Sequence, residues 1–194
     1  MARRHKGLNF YYRRKKISKS AVKEVITWMV GCSLWIFLAF VLVFFFGIKT
    51  SMIGVSMEPT IQNSDTVLIN RIAYMLASPS KGDVIVFLPN GNENSHLYIK
   101  RVVATPGDTV HIQNGRLYIN GVIEDTTKIS FDKMADAGIA ANPIVLGLGE
   151  FFVLGDNRNN SEDSRTADVG LIKKEYIEGQ AWFYIGQEKF GFIK

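Results

Sequence analysis

The sequence predicts a mainly β fold: an N-terminal transmembrane helix followed by an antiparallel β-sheet domain with a small inserted lobe. Three observations predict it. Residues 28–48 read WMVGCSLWIFLAFVLVFFFGI, 21 residues with no charge and no proline. At ~1.5 Å per residue they make roughly 31 Å of helix, the thickness of a hydrocarbon core. The run is apolar all round, so it lacks the polar face of a soluble helix. Beyond it, short runs rich in β-branched and aromatic residues follow one another closely, with turn signals between them. Finally, Asn114-Gly115 sits between two such runs, the pairing that a primed hairpin turn requires.

The elements follow in order. Residues 1–24 form a basic tail with nine Lys/Arg against one acid, Glu24. The remaining 170 residues hold 14 basic and 17 acidic side chains, so the net charge of +5 lies entirely in the tail. A basic segment directly before an apolar run reads as the positive-inside signal rather than as a nucleic-acid patch. It also suits contact with anionic headgroups. Residues 25–48 are then a single-pass anchor with a cytoplasmic N-terminus, and 49–194 lie on the outer face. The apolar run exceeds the ~7–15 residues of a cleaved signal peptide, and Phe44, Phe45 and Phe46 crowd its end with bulk, so the anchor is expected to be retained. The only cysteine, Cys32, lies within it, which leaves the outer part without a disulfide, a cysteine metal site or a cysteine nucleophile.

Strands are expected at 66–69, 83–87, 97–99, 110–112, 116–119, 151–154 and 180–184, arranged as a sandwich or barrel-like domain. Short helical turns are expected at 71–77 and 131–141. The stretch 120–149 is the least regular, and the small lobe or insertion is placed at about 109–150.

Three segments could carry chemistry. Ser56 stands in Ser56-Met57-Glu58-Pro59-Thr60, eight residues past the anchor. A serine nucleophile needs a base. His5 is on the wrong side of the membrane, His96 follows a polar run, and His111 alternates with Val110 and Ile112 on the polar face of a strand. The second segment, Tyr98-Ile99-Lys100-Arg101-Val102-Val103, is a largely apolar strand. Alternation puts Lys100 with Tyr98 and Val102, and Arg101 with Ile99 and Val103. At a pKa of ~10.4, about one lysine in 2,500 is neutral at pH 7; burial lowers that pKa, and arginine offers no such route. The third segment, from Gly155 to Arg165, is dense in acids, amides and arginines. It fails as an EF-hand because Arg158 stands where an oxygen ligand is needed and the central glycine is missing. It reads either as a polar loop tied by Asp–Arg pairs or as a shell supporting a catalytic amine. On residues alone, Ser56 with Lys100 is one option among several, beside a turn serine and a surface lysine.

Together and in this order, the three segments resemble bacterial type I signal peptidase, the Ser-Lys leader peptidase family. Ser56-Met57-x-Pro59-Thr60 is similar to its nucleophile motif, Tyr98 to Asp108 to its lysine motif, and Gly155-Asp156-Asn157-Arg158-x-x-Ser161-x-Asp163-Ser164-Arg165 to its third signature. The resemblance implies Ser56 as nucleophile and Lys100 as general base. It implies Ser161 as the hydroxyl that orients the lysine, and Asp163 with Arg165 as a structural pair. It places Met52, Ile53, Gly54, Met57, Ile61 and Ile99 along shallow pockets for small residues, suited to Ala-x-Ala before the cut. Where some members carry a serine oxyanion donor, this chain has Gly54. No metal, cofactor or nucleic acid is implied; the expected partners are preprotein signal peptides and membrane lipid. The rival readings are a peptidase dedicated to one exported substrate such as a surface-fibre subunit, a repressor-type self-cleaving protein, and a non-catalytic assembly protein on the same fold.

Overall fold

The computed structural model describes residues 18–46, 48–124, 133–187 and 189–193. Two units emerge, a helical one ending at Val41 and a β-rich one beginning at Leu42.

Helix α1 spans Lys19–Phe46. Its side chains are largely exposed, Trp28, Trp35, Phe37 and Phe40 among them, and Lys19–Phe44 is long and apolar enough to cross a membrane. Its few hydroxyls are satisfied internally: Thr27 donates to the Lys23 carbonyl and Ser33 to that of Val30. Such back-bonding lets a polar side chain sit in an apolar medium without an unpaired group. The helix ends at Phe46, and Ile48, expected within the anchor, opens the first strand. Ile48 pairs there with Ile69, one rung of a four-rung ladder.

The β-rich unit contains two antiparallel sheets. The larger comprises β1 (Ile48–Ser51), β2 (Thr66–Asn70), β3 (Val84–Phe87), β4 (Tyr98–Ala104), β9 (Glu150–Leu154), β10 (Ile172–Lys173), β11 (Ile177–Ile185) and β12 (Phe190–Phe192). Its order is β1-β2-β11-β3-β4-β9-β10, with β12 added to β11. The smaller sheet comprises β5 (Thr109–Gln113), β6 (Arg116–Ile119), β7 (Val122–Ile123) and β8 (Ile144–Val145), in the order β7-β6-β5-β8. This second sheet occupies the stretch read as an inserted lobe.

Two of its hairpins are built by Asn-Gly. Asn114 and Gly115 have φ of 53° and 74°, and Asn120 and Gly121 have 54° and 80°. Positive φ at both central residues is the primed turn whose twist matches the flanking strands. The expected helical turn at 71–77 is α2 (Ile72–Leu76). The one expected at 131–141 shrinks to a 3-10 turn at Gly138–Ala141, and residues 131 and 132 lie outside the described set. The alanines of that segment favour helix, but Gly138 at its start has φ of 51° and its N–H bonds the Asp136 carboxylate, so the chain bends instead.

Three apolar clusters hold the unit together. One, around Val103, Val110, Leu117, Phe152 and Leu154, joins the two sheets. Another, around Met57, Ile61, Val67, Val86 and Ile99, lies beneath the loop that carries Ser56. A third gathers Ile85, Phe87, Val102, Phe151 and Ile172.

Candidate active site

The first motif is the connection between β1 and β2. The connection is clamped at its base, where the Met52 N–H donates to the Asp65 carbonyl at 2.8 Å and the Ser64 N–H to the Met52 carbonyl at 2.9 Å. Its middle makes a single turn, with the Ile61 N–H donating to the Met57 carbonyl at 3.0 Å. Met57 and Ile61, four residues apart on that turn, are both fully buried. Their burial pins the backbone that presents Ser56.

The second motif is β4. Both of its basic side chains are buried, Lys100 at 4% exposure and Arg101 at 7%. The two solve the problem of burial in opposite ways. Arg101 is paired with a carboxylate. Its Nε donates to Asp156 Oδ1 at 2.8 Å, Nη2 to Oδ2 at 2.7 Å, and Nη1 to the Gly82 carbonyl at 2.8 Å. Lys100 makes no such ion pair among the described residues. Its pKa falls from 10.5 to about 8, driven by burial and opposed by the charges of Asp163 and Glu162. About one molecule in ten then carries a neutral amine at pH 7. Lys100 Nζ donates to Ser56 Oγ at 2.8 Å; the neutral amine at that distance can accept the hydroxyl proton instead.

The third motif follows β9, and strand pairing explains why it arrives here. In the β4–β9 ladder Arg101 faces Leu154 and Val102 faces Val153, so the chain leaving β9 at Gly155 emerges beside the lysine. It then fastens onto the loop that carries Ser56. The Asn157 N–H donates to the Ser56 carbonyl at 3.0 Å, Asn157 Nδ2 donates to the Val55 carbonyl at 3.2 Å, and Thr60 Oγ1 donates to Asp156 Oδ2 at 2.6 Å. A Cβ at Gly155 would collide with Ser161 Oγ and the Ser56 carbonyl, so only glycine allows this approach.

Asp163 is fully buried and anchors the far side. It accepts from Arg165 Nε at 2.8 Å, Arg165 Nη2 at 2.9 Å and the Gly155 N–H at 3.1 Å. Arg165 Nη2 also reaches the Arg158 carbonyl at 2.5 Å. The expected Asp163–Arg165 pair is therefore formed. Ser161 lies against Gly155, but among the described residues its buried Oγ has no hydrogen-bond partner, and it makes no bond to Lys100.

A cleft of about 370 Å³ opens over the pair, lined by Met52, Ile53, Gly54, Val55, Ser56, His96, Leu97, Tyr98, Ile99, Lys100, Asn160 and Glu162. Met52, Ile53, Gly54 and Ile99 are among the lining residues. Met57 and Ile61 do not line it, because they anchor the loop from below. His96 is exposed at the cleft, and His111 lies in the smaller sheet with Nε2 3.2 Å from the Ala141 carbonyl. Gly54 has a φ of 84°, its N–H donates to Asn63 Oδ1 at 2.9 Å, and a Cβ there would meet open space. Among the described residues nothing accepts from the Ser56 N–H. No cluster of three or more metal-ligating side chains occurs among the described residues.

Sequence reasoning missed the clamp of Arg101, Asp156 and Thr60 and the bonds of Asn157. The alternation of β4 carried part of the signal. It required one of Lys100 and Arg101 to face an apolar side; both are buried, and a buried arginine requires a carboxylate.

Residues 25–185 match the family described as "Signal peptidase, peptidase S26". Signal peptidase IB of Staphylococcus aureus (strain COL) is 32% identical over 175 residues, covering 83% of this chain and 89% of its own length. A crystal structure of a signal peptidase I from Enterococcus faecalis has 33% identity and a TM-score of 0.40, covering 53% of this chain and 95% of the solved one.

Proposed function

Because the chain belongs to the signal peptidase family, peptidase S26, we propose that it is a membrane-bound serine endopeptidase that removes N-terminal signal peptides from exported preproteins, with Ser56 as nucleophile and Lys100 as general base. The observation that carries this reading is the 2.8 Å contact between Ser56 Oγ and a buried lysine whose pKa is pushed down to about 8.

The steps follow from that contact. Neutral Lys100 takes the Ser56 proton as Oγ adds to the scissile carbonyl. The resulting ammonium gives a proton to the leaving amine, and the C–N bond breaks. Water, deprotonated by the same amine, then hydrolyses the acyl-enzyme. The unclaimed Ser56 N–H supports a role as one oxyanion donor. Gly54 supplies no side-chain donor, so stabilisation there falls to backbone. The Asp163–Arg165 pair braces the loop that follows β9, and the orienting role that the resemblance gives Ser161 would require its hydroxyl to reach the amine.

Helix α1 is the anchor in this reading, with the basic tail cytoplasmic and the peptidase domain on the outer face. Ser56 follows Phe46 by ten residues, which keeps it near the face where a signal peptide leaves the bilayer. Confinement to one surface raises the effective concentration of enzyme and cut site without tight binding. The apolar side of the cleft, formed by Met52, Ile53, Val55, Leu97 and Ile99, suits the small side chains of Ala-x-Ala.

The test is cleavage of several unrelated preproteins by the full chain in phospholipid vesicles. Cleavage after Ala-x-Ala in most of them, abolished by a bulky residue just before the cut, is the expected result. Cleavage of a single substrate would instead indicate a dedicated peptidase, and cleavage of none would contradict the reading.

A further inference from the structure

Glu162 is the one acidic residue in the third motif that is neither buried nor paired with an arginine. Asp156 and Asp163 are both buried in bidentate pairs, with Arg101 and Arg165. Glu162 is exposed at the rim of the cleft, and its Oε2 accepts from the Tyr98 hydroxyl at 3.0 Å.

Tyr98 precedes Lys100 by two residues on β4, so the two share a face. Lys100 Nζ lies 5.1 Å from the centre of the Tyr98 ring. Phe87, facing Tyr98 in the β3–β4 ladder, packs its own ring against it at 6.0 Å. The base of the tyrosine is thus held by the sheet and its tip by Glu162. Between those two fixed points the ring forms a wall beside the amine.

From this geometry, we propose that the Tyr98–Glu162 hydrogen bond is a latch that holds the aromatic ring against the Lys100 amine, making Glu162 a positioning residue that tunes the base through its charge and through the ring. This inference rests on Lys100 being the general base.

The direction of the effect follows from the groups around Nζ. Burial favours the neutral amine. The Tyr98 ring face and the carboxylates of Glu162 and Asp163 favour the ammonium. Asp163 is shared with Arg165, whereas Glu162 carries no arginine. Opposite Lys100, β3 presents only Ile85, and the nucleophile loop presents the uncharged Ser56. His96 is the further titratable side chain lining the cleft. Glu162 is therefore the exposed charge through which the base can be adjusted without disturbing a buried pair.

The experiment compares kcat/KM against pH for preprotein cleavage by the full chain in vesicles, using wild type, E162Q, E162A, Y98F and K100A. Glutamine keeps an acceptor for the tyrosine and removes the charge. Its rising limb should move down by about half a pH unit, giving roughly two- to threefold more activity at pH 7. E162A and Y98F break the latch and should lower the plateau below that of E162Q. A limb in E162Q that superimposes on wild type, or a full plateau in E162A and Y98F, would overturn the latch. K100A separates the two readings. If K100A is inactive while the limb of E162Q stays in place, the dyad stands and the latch falls. If K100A is fully active, the dyad itself falls.

Discussion

Replacing Ser56 or Lys100 by alanine is expected to lower preprotein cleavage by about four orders of magnitude or more, the scale on which serine peptidases lose activity when nucleophile or base is removed. Lys100→Arg should be equally inactive, since a guanidinium keeps its proton at any working pH. Single-turnover cleavage assays on folded variants measure this. A Lys100 variant that retains full activity would remove the base from the mechanism. Replacing Lys100 by an uncharged residue should leave the fold intact or strengthen it, because a buried lysine without a carboxylate partner is a burden on stability. Its folded pKa of about 8 lies below the ordinary 10.5. Between those values the unfolded chain holds a proton that the folded chain has released, so stability rises with pH across that window. Below about pH 8 the penalty is present in full, up to about 3 kcal/mol. Lys100→Met should therefore raise the unfolding free energy at pH 7, with a lead that shrinks toward pH 10.5.

The second large effect is expected at Asp156. Asp156→Ala leaves the Arg101 guanidinium buried without its carboxylate and frees the Thr60 hydroxyl. Breaking a buried ion pair on one side costs about 3–5 kcal/mol. For a domain of this size that corresponds to a fall in Tm of roughly 10 °C. Thermal unfolding measures it, and the double variant Arg101→Met with Asp156→Leu should recover much of the loss, because removing both charges leaves neither stranded. A loss of less than about 1 kcal/mol in Asp156→Ala would mean the clamp contributes little. Cleavage should fall as well, since Thr60 and Asp156 tie the nucleophile loop to the loop after β9.

Much of this was legible in the sequence, for local reasons. The Asn-Gly turns declare positive φ at two consecutive residues, and the flanking runs alternate apolar and polar, so the turn between β5 and β6 could be placed to the residue and the strands to within one. The apolar run of α1 announces itself by length and absence of charge. Alternation along β4 separated Lys100 from Arg101 correctly and put Tyr98 on the lysine's side. What stayed hidden was set by long-range register. Ser56 and Lys100 are 44 residues apart in the chain and Arg101 and Asp156 are 55 apart. Their meeting depends on β4 pairing with both β3 and β9, and the β9 ladder carries an irregularity between Val102 and Ala104. No local pattern encodes that shift. Met57 and Ile61 show the converse error. Apolar residues beside a nucleophile resemble pocket walls in sequence, whereas their i, i+4 spacing on a single turn sends both into the core. The placement of the Ser161 hydroxyl against Gly155 was also beyond reach, because it depends on how the loop after β9 folds back on itself.

The central claim is that a neutral Lys100 amine takes the proton of Ser56. It is tested most directly by the pH dependence of Ser56 acylation, followed by mass spectrometry with a serine-directed acylating probe on the full chain in vesicles. The predicted result is a rate that rises with pH through a midpoint near 8, with modification confined to Ser56 and lost in Lys100→Ala. A midpoint near the ordinary histidine value of about 6.5, or an unchanged rate in Lys100→Ala, would contradict it.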